Sequence, residues 1–241
     1  MPSALTPYYS LARSYGGAVV QVGVAPEHYV GKVGAVGAVG AVGVGEGKLG
    51  GGFALGLDAL AHAAALEFGM LCGSHAQGPV LRLYARRLLA ALAAFDAAAA
   101  PTTLVAAVLF ARRFVAKAKV AEASQGLEFR LLTTALMVAV KVLDDRALVR
   151  SAEWLKVCNV VCLDIKQLST MEREFLKAID YNVAVDCNTL THTANAMADS
   201  VLDSWRVQGL SLNTSVLSAS SPGHVRVAVN ILRQVSADLK A

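Results

Sequence analysis

Two charged residues stand where helical spacing calls for core. In ALMVAVKVLDD, residues 135–145, an apolar run carries Lys141 near its end, with Asp144 and Asp145 just behind it. A lysine flanked by valines loses its water unless a partner meets it, and carboxylates at a helix C-terminus oppose the macrodipole. The second anomaly lies in DIKQLSTMEREFLKAID, residues 164–180. Here Ile165, Leu168, Leu176 and Ile179 set out an apolar stripe and Glu172 falls inside it, while Arg173, Glu174 and Lys177 are the solvated charges. A carboxylate on the inward face needs a cation or a hydrogen-bond donor. Three arrangements answer: an internal bridge from Glu172 to Lys141 or an arginine, a local pair of Lys141 with Asp144 or Asp145, or a donor–acceptor pair reaching another molecule across a cleft between helices.

Other chemistries find little support. Cys72, Cys158, Cys162 and Cys187 form no C-x-x-C pair, and His28, His62, His75, His192 and His224 are scattered. The cysteines read as reduced and structural, in an intracellular setting of cytoplasm or nucleus. Gly45, Gly47 and Gly50 satisfy G-x-G-x-x-G, but they lie in a glycine tract with no strand–helix–strand alternation after it. No nucleophile–base pair, metal cluster or phosphate loop stands out, so neither a catalytic activity nor a cofactor is expected.

The elements that must position Lys141 and Glu172 are helices. Residues 31–52 form a tract with Gly31, Gly34, Gly37, Gly40 and Gly43 at every third place, read as flexible. Beyond it, helices are predicted over about 54–71, from Gly78-Pro79 onward, from Pro101-Thr102 to Lys117, over Leu127–Asp144, over Ser151–Val157, and from Asp164 to Asp180 with Asp164 and Gln167 as a capping pair. Two weaker patterns follow at 188–204 and 224–239. Strand alternation is absent from the middle of the chain, so the class is all-α. On the helix at 127–144, Arg130, Thr134, Met137 and Lys141 share one sparse polar stripe, opposite an apolar one of Leu132, Ala135, Leu136, Ala139 and Leu143.

With 241 residues, 55% of them hydrophobic, the chain can bury a sizeable core. A mean hydropathy of +0.50 makes a membrane span worth testing. The longest weakly charged run, residues 88–111, contains Asp96 and Pro101 and is mostly alanine, with arginine pairs at both ends; two helices broken near Pro101 suit it better. A net charge of +4 does not call for nucleic acid, and no secretory signal is evident.

The segments EFRLLTTALMVAVKVLDD (128–145), EWLKV (153–157) and DIKQLSTMEREFLKAIDYNVAV (164–185) together resemble the cyclin box, nearest the single-box cyclins of the fungal Pcl group and the plant U/P type. LYARRLL (83–89) and VLFARRFV (108–115) are similar to the family's first two box helices. The resemblance implies a five-helix box over 79–186; around it the chain is read as a flexible segment over 1–52, a flanking helix over 53–78 and a helical tail over 187–241. The resemblance also implies a regulatory subunit that binds a cyclin-dependent serine/threonine kinase and presses the kinase's C-helix into its active position, in cell division or another pathway. The family's partner-contacting lysine and glutamate fall on Lys141 and Glu172, with Met137, Val142 and Leu176 as candidate apolar neighbours. No small-molecule ligand, nucleic acid or membrane partner is implied.

The box-structural positions are Arg87, Arg112, Arg113, Asp144 and Asp145. One departs from the family pattern: where an acid usually precedes the second-helix arginine, this chain has Arg112, so Arg112 and Arg87 are expected to face each other as like charges, with the internal bridge lost or rerouted. Two other readings remain. One is a degenerate cyclin-fold scaffold without kinase activation. The other is a transcription adaptor of the TFIIB-like class, to which 12 Lys/Arg against 6 Asp/Glu between Leu81 and Lys156 point, and against which the short stretch after 186 argues.

Overall fold

A computed structural model describes residues 51–73, 78–94, 99–118, 126–143, 165–210 and 222–240. Among these the chain forms seven α-helices and no strand, in keeping with the all-α expectation. They are α1 (Gly51–Leu71), α2 (Gly78–Ala93), α3 (Ala100–Ala118), α4 (Leu127–Leu143), α5 (Ile165–Ala178), α6 (Cys187–Leu210) and α7 (Pro222–Asp238). The helix expected at 151–157, Asp144 and Asp145, the glycine tract before residue 51, and Cys158 and Cys162 lie outside the described residues. The helices belong to one compact unit, Phe53–Ala241. No helix among the described residues is long and apolar enough to cross a membrane.

α3 is the hub of the packing and touches α2, α4, α5, α6 and α7. Its inner surface is largely small: Ala106, Ala107 and Ala111 are fully buried, and Ala135 and Ala139 of α4 are equally so. Small residues on both helices let the backbones approach closely, while Leu104, Phe110, Leu132 and Leu136 fill the space around the contact. α4 is enclosed further still. Every residue from Leu131 to Val140 is buried, and each fully buried leucine or valine there contributes roughly 1.5–3 kcal/mol. The polar stripe expected on α4 is therefore inside the protein: Thr134 is buried and donates to the Arg130 carbonyl at 2.8 Å, and Met137 is fully enclosed. Thr133 likewise donates to the Phe129 carbonyl at 2.8 Å and is hydrogen-bonded to the Tyr84 hydroxyl of α2, whose ring meets Phe129 edge-on at 5.2 Å.

α5 lies against α4 and α3 through Leu168, Met171, Phe175 and, just past its end, Ile179. Phe175 stacks on Phe114 of α3 at 5.2 Å with near-parallel rings. The buried stripe keeps Leu168 and Ile179 as expected, but between them Met171 and Phe175 face inward where Glu172 and Leu176 stand on the flank. Ile165, at the helix start, is exposed. α6 begins at an Asp186 cap, whose carboxylate accepts from the Thr189 amide at 2.8 Å and the Thr189 hydroxyl at 2.5 Å. These bonds from Thr189, the hydroxyl foremost, hold the Asp186 carboxyl below its usual range. α6 and α7 then pack together along Ala194, Met197, Ala198 and Val201 against Ala228, Val229, Leu232 and Val235.

α1 covers a flank of the box. Asp58 pairs with Arg86 at 2.8 Å, and a Cβ at Gly56 would lie 3.5 Å from Ile231 of α7. His62 on this helix is held below its ordinary imidazole value by burial first, then by Arg82 of α2 and His224 of α7. The folded state therefore resists the proton that the unfolded chain takes up near pH 6.5. Stability is full above that value and declines as pH falls below it. In urea titrations the wild type should lose stability between pH 7 and pH 5, and His62→Gln should flatten that slope; an unchanged slope would assign the loss to other groups.

Candidate functional site

α4 emerges from the core at Lys141. The ten residues before it are buried, Lys141 itself is partly exposed, and Val142 and Leu143 reach solvent. On the neighbouring helix Glu172 stands at the same level. Lys141 Nζ donates to Glu172 Oε1 at 2.6 Å, with the side chains 20% and 18% exposed. Among the described residues the internal bridge between these two is present; Asp144 and Asp145 lie outside them. The bridge joins the two charges that, among the described residues, line a groove of about 200 Å³ between α4 and α5.

The rest of the groove is apolar: Val138 and Val142 from α4, Leu176 from α5, and Tyr181 and Val183 from the chain beyond α5. Val142 and Leu176, named as candidate apolar neighbours, thus line the same groove as Lys141 and Glu172. Met137 does not; it faces the core, fully buried, one residue from Val138. Val138, Tyr181 and Val183 escaped sequence reasoning. Tyr181 and Val183 follow the last helical turn, where periodicity no longer says which way a side chain faces.

The bridged pair keeps unused capacity. An ammonium carries three donors and spends one on Glu172, whose carboxylate has further lone pairs. Both heads lie at the rim with access to water. The groove can therefore offer a donor and an acceptor fixed a short distance apart, beside an apolar surface for side chains. That combination suits the exposed backbone and apolar side chains of another protein's segment, such as a helix start, more than a small molecule. Among the described residues no group of histidines, cysteines or acids is placed to hold a metal ion.

The box-structural positions resolve differently from the sequence expectation. Arg112 does not meet a like charge. Its Nη2 donates to Glu67 Oε2 of α1 at 2.8 Å, while Arg87 is exposed. The bridge is thus rerouted to an acid outside the box. Glu67 is only 2% exposed, and among the described residues its other oxygen, Oε1, has no hydrogen-bond partner, so Arg112 is the cation that meets its charge there. Glu128, at the start of α4, is a second buried acid. Burial foremost, with this neighbouring charge adding, pushes the Cys72 thiol up to about 12, so Cys72 is inert packing. Arg113 lies over the Phe110 ring at 5.7 Å and donates to the Asn182 carbonyl at 2.7 Å.

Residues 92–184 match the family model of the cyclin N-terminal domain. That span contains α3, α4, α5 and the whole groove, and it supports the cyclin family; the all-helical architecture is consistent with a cyclin box. No curated protein and no solved structure gave a significant match.

The two ion pairs should differ in their effect on stability. Arg112→Met strands the buried Glu67 carboxylate and should cost about 3 kcal/mol, at the low end for buried pairs because Arg112 is partly exposed. Adding Glu67→Leu should recover most of it. Lys141→Ala or Glu172→Ala leaves a charge that can still reach water and should cost only about 1 kcal/mol. Urea denaturation of the four variants tests the order, and equal losses at both pairs would refute it.

Proposed function

We propose that this chain is a cyclin-type regulatory subunit, which binds a cyclin-dependent serine/threonine kinase and activates it. The observation that carries the reading is the groove: Lys141 and Glu172 bridged at its rim, with Val142 and Leu176 beside them, inside the span that matches the cyclin N-terminal domain. The kinase's regulatory C-helix is the segment that suits it. The start of a helix exposes unsatisfied backbone amides, which Glu172 accepts, and the chain around it exposes carbonyls, to which Lys141 donates. Apolar side chains of the same segment enter between Val142 and Leu176. Seated there, the C-helix is held inward, and its glutamate completes the lysine–glutamate pair that orients ATP in a protein kinase. The cyclin is not itself an enzyme in this reading; it contributes position. The finer likeness to single-box cyclins of the Pcl and U/P types, and an intracellular site of action in nucleus or cytoplasm, go with the same proposal.

The 2.6 Å bridge also favours a second reading. A pair that already satisfies itself fits a helical scaffold that has ceased to activate kinases. The two readings differ in what the charges contribute to binding. Purified full-length chain titrated against a panel of purified monomeric cyclin-dependent kinases should bind at least one of them and raise its phosphorylation of a generic peptide. Lys141→Ala and Glu172→Ala should each weaken that binding by about 2–5 kcal/mol, while remaining folded. A wild-type chain that stays helical and monodisperse yet binds none of the kinases would establish the scaffold.

A further inference from the structure

The groove has one wall made of helix and one that is not. Val138, Lys141 and Val142 ride on α4, and Glu172 and Leu176 on α5, but Tyr181 and Val183 belong to the chain just past α5. There two successive residues other than glycine, Asp180 and Tyr181, take left-handed backbone angles, with φ of 52° and 54°. Aspartate tolerates that region through its short polar side chain; for tyrosine it is uncommon, and such a backbone persists only where its surroundings over-determine it. Local bonds explain the first part of the turn. The Asp180 amide donates to the Lys177 carbonyl at 3.0 Å, the Tyr181 amide to Leu176 at 2.7 Å and the Asn182 amide to Ile179 at 3.0 Å, which together cap α5.

A further local bond runs from the Val183 amide to the Tyr181 carbonyl at 2.9 Å, and α3 adds contacts from outside the turn. Phe110, Arg113, Phe114 and Lys117 recur at i, i+3, i+4 and i+7 and so share one face of that helix. Phe114 meets Phe175 of α5, Arg113 donates to the Asn182 carbonyl at 2.7 Å, and Lys117 pairs with the Asp180 carboxylate. One cation grips the backbone just beyond the left-handed pair, and the other grips the side chain of its first member. The two grips bracket Tyr181.

The geometry points to Arg113 and Lys117 as positioning residues for partner binding: they hold the 180–183 turn in its left-handed form and thereby fix Tyr181 and Val183 as the second wall of the groove. The inference rests on the kinase-binding reading of that groove. Neither cation lines it, so their effect on binding runs through the turn. Without them the backbone is free to relax toward the extended region, carrying both side chains off the groove, while the Phe114–Phe175 stack keeps α3 and α5 together.

The test uses the full chain with Arg113→Gln, Lys117→Gln, the two combined, and Lys117→Arg, together with Asp180→Gly, which removes the partner of Lys117 while keeping a residue at ease in the left-handed region. Two readouts are needed. Hydrogen–deuterium exchange of the amides at 180–183 should quicken about tenfold in the double variant with the helical amides unchanged, and should stay near wild type in Lys117→Arg. Affinity for the kinase that binds the wild type should fall about tenfold in the double variant and several-fold in Asp180→Gly, with Lys117→Arg restoring it. Unchanged exchange at 180–183 would overturn the clamp. Faster exchange with full affinity, in a protein whose Lys141→Ala variant loses binding, would overturn its role in positioning and leave the kinase reading standing. A wild type that binds no kinase in the panel would remove both.

Discussion

The burial of α4 through every residue from Leu131 to Val140 is the constraint from which the rest of the site follows. A helix enclosed through ten consecutive residues can have no solvent face, so its polar atoms are turned inward onto its own backbone, as Thr133 and Thr134 are. It also fixes where charge can first appear. Lys141 is the first residue after the enclosed run, and its long stem lets the ammonium reach the rim while its carbons stay against apolar neighbours. α5, docked on the same two helices through Leu168, Met171 and Phe175, brings Glu172 to the same level. The bridge between them is a consequence of two buried helices ending their buried stretches side by side. Because both heads keep contact with water, the pair is inexpensive to hold and remains available to a third party.

The second ion pair obeys the opposite logic. Glu67 is enclosed, and among the described residues Arg112 is the group that meets its carboxylate. The consequence is architectural: a helix outside the residues matched by the cyclin model is tied into the box by a contact whose loss strands a buried charge. The helix-two position that holds an acid in the resembling family here holds a base, and the acid has moved to α1. The sign of the pair is reversed and its partner element exchanged, while a cross-helix charge pair at that position of α3 is retained.

α3 connects these features. It carries the alanines that admit α4, Arg112 toward α1, Phe114 against α5, and Arg113 and Lys117 toward the turn after α5. Different faces of one helix thus serve the core, the flanking helix and the groove. An Arg112 substitution is felt mainly as lost stability, because the charge it abandons is buried; an Arg113 substitution strands no charge, giving up an exposed carbonyl and a cation–π contact with Phe110.

Much of this was legible in the chain itself. Helical spacing marked Lys141 and Glu172 as charges at odds with their surroundings, and the helices fell close to where proline, glycine and apolar periodicity put them, because those signals act within a few residues. Within one helix, however, periodicity cannot say how much of the circumference is covered. It made Thr134 and Met137 a polar stripe where neighbouring helices enclose both, and it set the inward stripe of α5 on Ile165 and Leu176 where packing chose Met171 and Phe175. Val138, Tyr181 and Val183 were invisible as groove residues for the same reason, two of them lying past the last turn. Sequence alone thus determined the helical class, the order of the elements and the two charges that need explaining, since each depends on local chemistry. Only the tertiary structure decided that those charges meet each other, that Arg112 finds Glu67 across the chain, and that α3 grips the turn after α5. Those are contacts between residues 31 to 69 positions apart, set by how buried faces pack and carried by no local pattern.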